Sequence, residues 1–434
     1  MMDKNTVLKL TPMQKVEYFF LMALLFVVPI SWEWATKITA ILMVIIPIKI
    51  IVEKGVNLQL NKYPQKKFYL LFMVTYLLYV VSMVYTSNVA EGLQNLEKKL
   101  SFIIFPLFFL LSNLSYLTPK RTNALFYSFL CGTLFFVVGN LLWATYDYLF
   151  LQAPFSRFLG REVTKIHYIH HTYIAMYCCF AIVYSFVQLF GSDVVSKSNK
   201  VFLSAVVVLS TLFVVLVESR AGILCMAVLY VFLFAWLFFV KKKRALTIYC
   251  GTALVVIMTV FFLVFPSGLN RIVKTGQNLV NTEQKEDIRI TLLKAGVDVA
   301  QENLLIGVGV GDRCDKLIEY YEKNNLQCGD LNSHNQFVDT TISIGILGLL
   351  SLIGYFVLPV VLAIRNRQWN IEMLLFLFII AFNAVFEAVF ESQTGILFFN
   401  IIFCLLFYAS FVPKRNCKAI LMTFKYKHSS MFGY

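Results

Sequence analysis

Charge is scarce in this chain. Asp, Glu, Lys and Arg supply only 14% of its 434 residues, whereas an ordinary soluble domain carries about a quarter. Alongside 59% hydrophobic and 16% aromatic residues and a mean hydropathy of +0.74, that shortage excludes a soluble globule and leaves a polytopic membrane protein. A basic patch on a soluble module is also missing. The formal charge of +14 comes from Lys and Arg scattered among short loops, which serves topology and excludes nucleic acid as the partner. No small-residue cleavage site follows the first apolar run, so it reads as a retained helix and not a removable signal. The G-x-G-x-x-G spacing and its strand-turn-helix setting are absent around Gly307, Gly309 and Gly311, which therefore read as a turn and not as a nucleotide loop. Of nine cysteines, six (Cys131, Cys178, Cys179, Cys225, Cys250 and Cys404) fall in apolar runs as small hydrophobes. Cys314 and Cys328 lie in the largest loop and could pair if it faces an oxidising compartment.

What is abundant is apolar sequence in spanning lengths. Runs at 16–31, 35–52, 68–85, 100–114, 122–150, 170–190, 201–217, 221–240, 245–265, 336–364, 370–390 and 394–412 predict about twelve transmembrane helices, given ~20 residues per crossing. The 100–114 run is short for a crossing. The expected fold is an all-α polytopic membrane protein with one large, partly helical periplasmic loop. Its parts are an N-terminal membrane region (1–265), the loop (266–335), and a C-terminal membrane region with a short basic tail (336–434).

Orientation follows from the basic residues, which collect in cytoplasmic connectors. With the N-terminus cytoplasmic, that side receives Lys62, Lys66, Lys67, Lys241, Lys242, Lys243 and Arg244 among others, while the short connectors opposite hold far fewer. Both termini are then cytoplasmic and the large loop is outside. The polar clusters at 95–100, 161–171, 217–222 and 390–395 land on the same outer face. A transporter would hold its polar groups near the midplane on broken helices; clustering at one surface suits chemistry open to the outer leaflet.

Three residues stand out. Arg220 sits in a tight connector two residues after Glu218; it is either an interfacial arginine or a guanidinium fork for a phosphate, a geometry that lysine cannot reproduce. Arg289 adjoins the apolar face Ile288, Leu292, Ala295, Val299 of an amphipathic helix over 285–303. His334, followed by Asn335 and by Asp339 one turn later, lies where the loop re-enters the membrane, and histidine accepts a proton near neutral pH without large tuning. The outer clusters add Lys99, Arg161 and the histidines His167, His170 and His171. No acidic or cysteine ligand flanks the three histidines at convincing spacing, so they read as hydrogen-bonding or packing groups, with no metal or other cofactor. Glu387 and Glu391, one turn apart, read as bundle-facing structural acids.

The connector Ser219–Arg220–Ala221, the long outer loop, the D-I-R-I-T-L-L-K-A helix with Arg289, the G-V-G-V-G turn, and S-H-N before S-I-G-I-L-G-L-L together resemble the O-antigen ligase and polymerase superfamily of bacterial envelope glycosyltransferases. The resemblance covers roughly residues 200–400. It implies transfer of a glycan from undecaprenyl diphosphate to an acceptor hydroxyl at the periplasmic face of the bacterial inner membrane, metal-independent and inverting. It also implies that Arg220 and Arg289 bind the diphosphate and that His334 is the catalytic base. Thr291–Leu292 replaces an aromatic that many relatives carry in the arginine helix. One dominant loop favours a ligase acting on a lipid A core sugar. A polymerase, a protein O-glycosyltransferase and, among non-enzymes, a transporter of lipid-linked sugars remain as alternatives.

Overall fold

A computed structural model describes residues 10–52, 64–112, 114–165, 169–191, 195–264, 288–329 and 331–411. Every regular element among them is helical. The α-helices are α1 (Pro12–Val27), α2 (Trp32–Val52), α3 (Phe68–Ser82), α4 (Val89–Lys99), α5 (Ser101–Leu111), α6 (Pro119–Phe150), α7 (His171–Gly191), α8 (Lys197–Leu216), α9 (Arg220–Ala235), α10 (Arg244–Val264), α11 (Ile288–Glu302), α12 (Arg313–Lys323), α13 (Gln336–Asn366), α14 (Ile371–Phe386) and α15 (Gln393–Phe411).

Each of the twelve apolar runs coincides with a helix. Among the described residues, six helices are long and apolar enough to cross a membrane: α6, α7, α8, α9 with its continuation to Val240, α13 and α15. The short run at 100–114 is α5, 11 residues directly preceded by the amphipathic α4. At 1.5 Å per residue such a helix is about 17 Å long, well short of a ~30 Å hydrocarbon core.

Lipid tails give helices no hydrophobic reason to associate, so close packing must hold the bundle. Aromatic rings do this along α15, the most enclosed helix, where Phe399, Phe403, Phe407 and Phe411 repeat at every fourth position and are buried. Phe403 meets Phe72 of α3 edge-on at 4.7 Å, and Phe72 stacks on Tyr355 of α13 at 5.1 Å. Buried tyrosine hydroxyls find backbone acceptors, as Tyr69 does at the Cys404 carbonyl (2.9 Å) and Tyr408 at that of Leu114 (2.7 Å).

Residues 266–287 of the long loop lie outside the described residues. The remainder has its own small core, in which Leu292, Ala295 and Val299 of α11 pack against Leu317 and Tyr321 of α12 and Ile342 of α13. Ile288, expected on that apolar face, is exposed instead. Cys314 and Cys328 are both free thiols.

Helix α13 is broken at Ile344 and Gly345. The break releases backbone groups that hydrocarbon cannot satisfy, and residues 304–309 take them up. The amides of Val308 and Gly309 donate to the carbonyls of Ile342 (2.8 Å) and Ser343 (3.1 Å), and the Ile346 amide donates to the Leu304 carbonyl (2.7 Å). Glycine is required on both sides. Gly345 (φ +69°) and Gly307 (φ +75°) are left-handed, and a β-carbon on either would come within 2.4 and 2.6 Å of the opposing backbone. The glycine turn thus joins the long loop to a membrane helix.

Candidate functional site

Arg220 is placed by the turn between α8 and α9. Glu218 adopts φ +51°, and the Ser219 hydroxyl caps α9 by accepting from the Gly222 amide at 3.2 Å. Arg220 is therefore the first residue of α9 and is exposed there, where the helix dipole also favours an anion. Arg289, the second residue of α11, is half-buried. Both line one cavity of about 400 Å³, whose wall also includes Arg161, His171, Glu218 and Glu387. The ring of His170 lies 4.1 Å from that of His171.

His334 reaches this cavity through Glu387. The histidine backbone is held at φ +47°, its amide donating to Asn332 Oδ1 at 3.0 Å. On one side the buried Ser333 donates to Asp339 Oδ1 at 3.1 Å. On the other, Asn335 caps α13 by accepting from the amides of Phe337 and Val338 at 2.9 and 3.1 Å. Helix α11 seats on this corner at Gly296, where a β-carbon would lie 2.7 Å from Ser333 Cβ. A left-handed non-glycine residue persists only when its surroundings over-determine it, as these contacts do. The outcome is His334 Nδ1 at 3.2 Å from Glu387 Oε1, with the imidazole 23% exposed.

A carboxylate at Nδ1 selects the tautomer with the proton on that nitrogen and leaves Nε2 as the basic atom. Burial disfavours charge on Glu387, yet the hydrogen bond and charge of His334, with His170 and Arg289, hold its carboxyl below the usual carboxylate range. Burial, with the charges of Arg161, Arg289 and His334, lowers the pKa of His170 against the pull of Glu387. The cavity therefore combines three guanidinium groups with Glu387, the carboxylate that orients the His334 imidazole beside it. Such a set can neutralise a multiply charged leaving group while taking a proton from an attacking hydroxyl.

Residues 205–353 match the family model described as O-antigen ligase. That match supports a likeness of this stretch to the O-antigen ligase superfamily. The matched stretch runs from α8 into α13 and contains Arg220, Arg289 and His334; Arg161, His170, His171 and Glu387 come from outside it. The likeness supports a glycosyltransferase-type activity, of the ligase or polymerase kind. No curated protein matches the chain.

The remaining sequence candidates fall elsewhere. Asn335 is occupied as a helix cap, its amide also donating to the Val385 carbonyl at 3.1 Å. Lys99 is buried and pairs with Glu391 at 2.8 Å. Glu391 also meets Arg313 at 3.0 Å, and Arg313 in turn pairs with Asp339. This buried network ties α4 and α12 to the start of α13 and to Glu391 just ahead of α15, next to the Ser333 corner. His167 lies outside the described residues. Glu391 is the structural acid expected. Glu387, expected to be its equivalent, instead forms part of the cavity wall. The signal for it was a carboxylate ending an apolar helix at the same end of the bundle as the histidine.

Proposed function

We propose that this protein transfers a glycan from undecaprenyl diphosphate to an acceptor hydroxyl at the periplasmic face of the inner membrane, with a lipid A core sugar as the acceptor. The observation that carries this reading is the convergence of Arg220, Arg289 and Arg161 on one cavity with the His334–Glu387 pair at its edge. In the proposed step His334 Nε2 takes the proton of the acceptor hydroxyl as its oxygen attacks the anomeric carbon. The bond from that carbon to the phosphate oxygen breaks on the opposite face, the diphosphate leaves with the electron pair, and the anomeric configuration inverts. Arg220 and Arg289 neutralise the charge that grows on the diphosphate, which guanidinium forks do by bidentate contact. Glu387 steadies the imidazolium formed at His334. No step passes through a metal ion.

The orientation that puts this cavity outside rests on the distribution of Lys and Arg and on the twelve-crossing arrangement, with both termini cytoplasmic. The ligase reading is tested by the envelope glycans of a deletion strain. Bare lipid A core with lipid-linked polymer left behind is the expected result. Core carrying a single repeat would instead assign the protein to polymerisation, and an unchanged profile would remove both.

A further inference from the structure

A second cavity, of about 890 Å³, opens beside the first. Helix α6 is 32 residues long, about 48 Å at 1.5 Å per residue, against a hydrocarbon core of ~30 Å. That excess leaves room for its last turns to stand clear of the core, and they form one wall with Trp143 and Asp147. The chain then folds back, and Ser156, Arg157, Glu162 and Lys165 form the other wall. Residues 156–165 separate the two cavities by the thickness of the backbone: Arg161 lines the first and Glu162 the second, and neighbouring α-carbons are ~3.8 Å apart. The segment is pinned by the Gly160 amide, which donates to the Leu216 carbonyl at 2.8 Å.

The chemistry of the second cavity differs from that of the first. Its charges balance: Arg157 Nε pairs with Asp147 at 2.6 Å, and Lys165 stands 3.9 Å from Glu162. Such a surface does not select a diphosphate, but it offers alternating acceptors and donors to hydroxyl groups. Arg157 is only 4% exposed, and its Nη2 is buried without a hydrogen-bond partner, an unmet donor of the kind that a ligand or water commonly satisfies. Trp143 is half exposed and supplies the flat apolar face on which a pyranose ring stacks. The volume lies within the roughly 300–1,000 Å³ of small-molecule sites.

The geometry points to this cavity as a saccharide subsite that holds a sugar residue next to the one reacting at Arg220, Arg289 and His334. The assignment rests on the glycan-transfer reading above. The sugar comes from either the acceptor or the donor glycan, and kinetics of the reconstituted full-length protein separate the two. Trp143→Ala should raise the KM of one substrate at least about tenfold, leaving kcat and the other KM within about twofold, and Trp143→Phe should restore most of the loss. A raised acceptor KM assigns the site to the acceptor sugar, and a raised donor KM to the donor glycan. Unchanged KM values for both substrates would overturn the proposal, as would a joint fall of kcat and thermal stability, which marks Trp143 as a bilayer anchor. Saturation-transfer NMR does not depend on turnover. With core oligosaccharide freed of its lipid, and separately with the repeat-unit oligosaccharide, sugar-proton signals should appear with wild type and vanish with Trp143→Ala. Signals with a protein that transfers nothing would reject the function and keep the site, whereas active protein giving no signal with either saccharide would reject the site alone.

Discussion

Arginine and lysine carry the same charge, but only arginine offers a planar fork that grips a phosphate through two parallel hydrogen bonds. Arg220→Lys or Arg289→Lys should therefore lower transfer by about tenfold or more at saturating acceptor. His334→Ala should lower turnover by about 10²–10⁴ with donor binding retained, and Glu387→Gln, which keeps a hydrogen-bond acceptor but loses the charge, by about 10–100-fold. Donor-lipid binding and single-turnover transfer on the same preparations separate these roles; wild-type rates from either His334→Ala or Glu387→Gln would remove the dyad. His170 makes a different prediction, because its lowered pKa arises from burial and from Arg161, Arg289 and His334. Below the ordinary histidine pKa near 6.5 the unfolded chain takes up a proton that the folded chain refuses, so stability falls as pH drops toward the folded value. The thermal midpoint in detergent should decline on acidification from about pH 6.5, and less steeply in His170→Asn. The positions of Arg220 and His334 at the ends of apolar runs, and of Arg289 beside the apolar face of an amphipathic helix, were legible in the sequence. Glu387 was not, since its partner is 53 positions away and nothing local tells a carboxylate which neighbour to face.

Elements were legible to the extent that hydrocarbon dictates them. The twelve apolar runs became helices because a backbone in lipid has few other ways to satisfy its polar groups, but hydropathy does not report where a helix breaks. The break in α13 follows from tertiary partners: residues 304–309 complete its backbone hydrogen bonds, and Asp312, just beyond them, accepts from the amides of Ser87 and Asn88 at the start of α4 at 2.7 Å each. The same reasoning makes Arg313 the residue on which the joining of α12 to α13 depends, since it serves both Asp339 and Glu391 while buried. Removing one member of a buried ion network leaves the others uncompensated, at about 3–5 kcal/mol. Arg313→Met should therefore lower the midpoint of thermal unfolding markedly and loosen the Ser333 corner, and Arg313→Met combined with Asp339→Asn should recover part of that loss. Additive effects of the two changes would mean that the pair is not coupled.

At the scale of the whole molecule the two faces of the bundle differ in kind, and labelling can read which is which. In a cysteine-free background, a single cysteine at the exposed Glu322 position should react with an impermeant thiol reagent added from the periplasmic side, and one at the exposed Ser198 position should not. The reverse pattern would overturn the proposed orientation and move the cavity to the cytoplasm. Fold class was readable from composition alone, because so little charge leaves no soluble alternative. The gathering of residues from α7, α9, α11 and the end of α14 around one cavity was not, because it depends on how helices far apart in sequence pack. The interruption of α13 also bears on how the protein meets its membrane. A continuous rod would raise or lower His334 whenever the bilayer thickened, thinned or made the helix tilt. With the first half of α13 joined to the loop through Val308 and Gly309, and the second half held to it only at its first turn by the Ile346 amide on the Leu304 carbonyl, the height of the imidazole is set by the loop assembly. The rest of the second half is left to follow the lipid, so transfer should stay nearly constant across bilayers of different acyl-chain length.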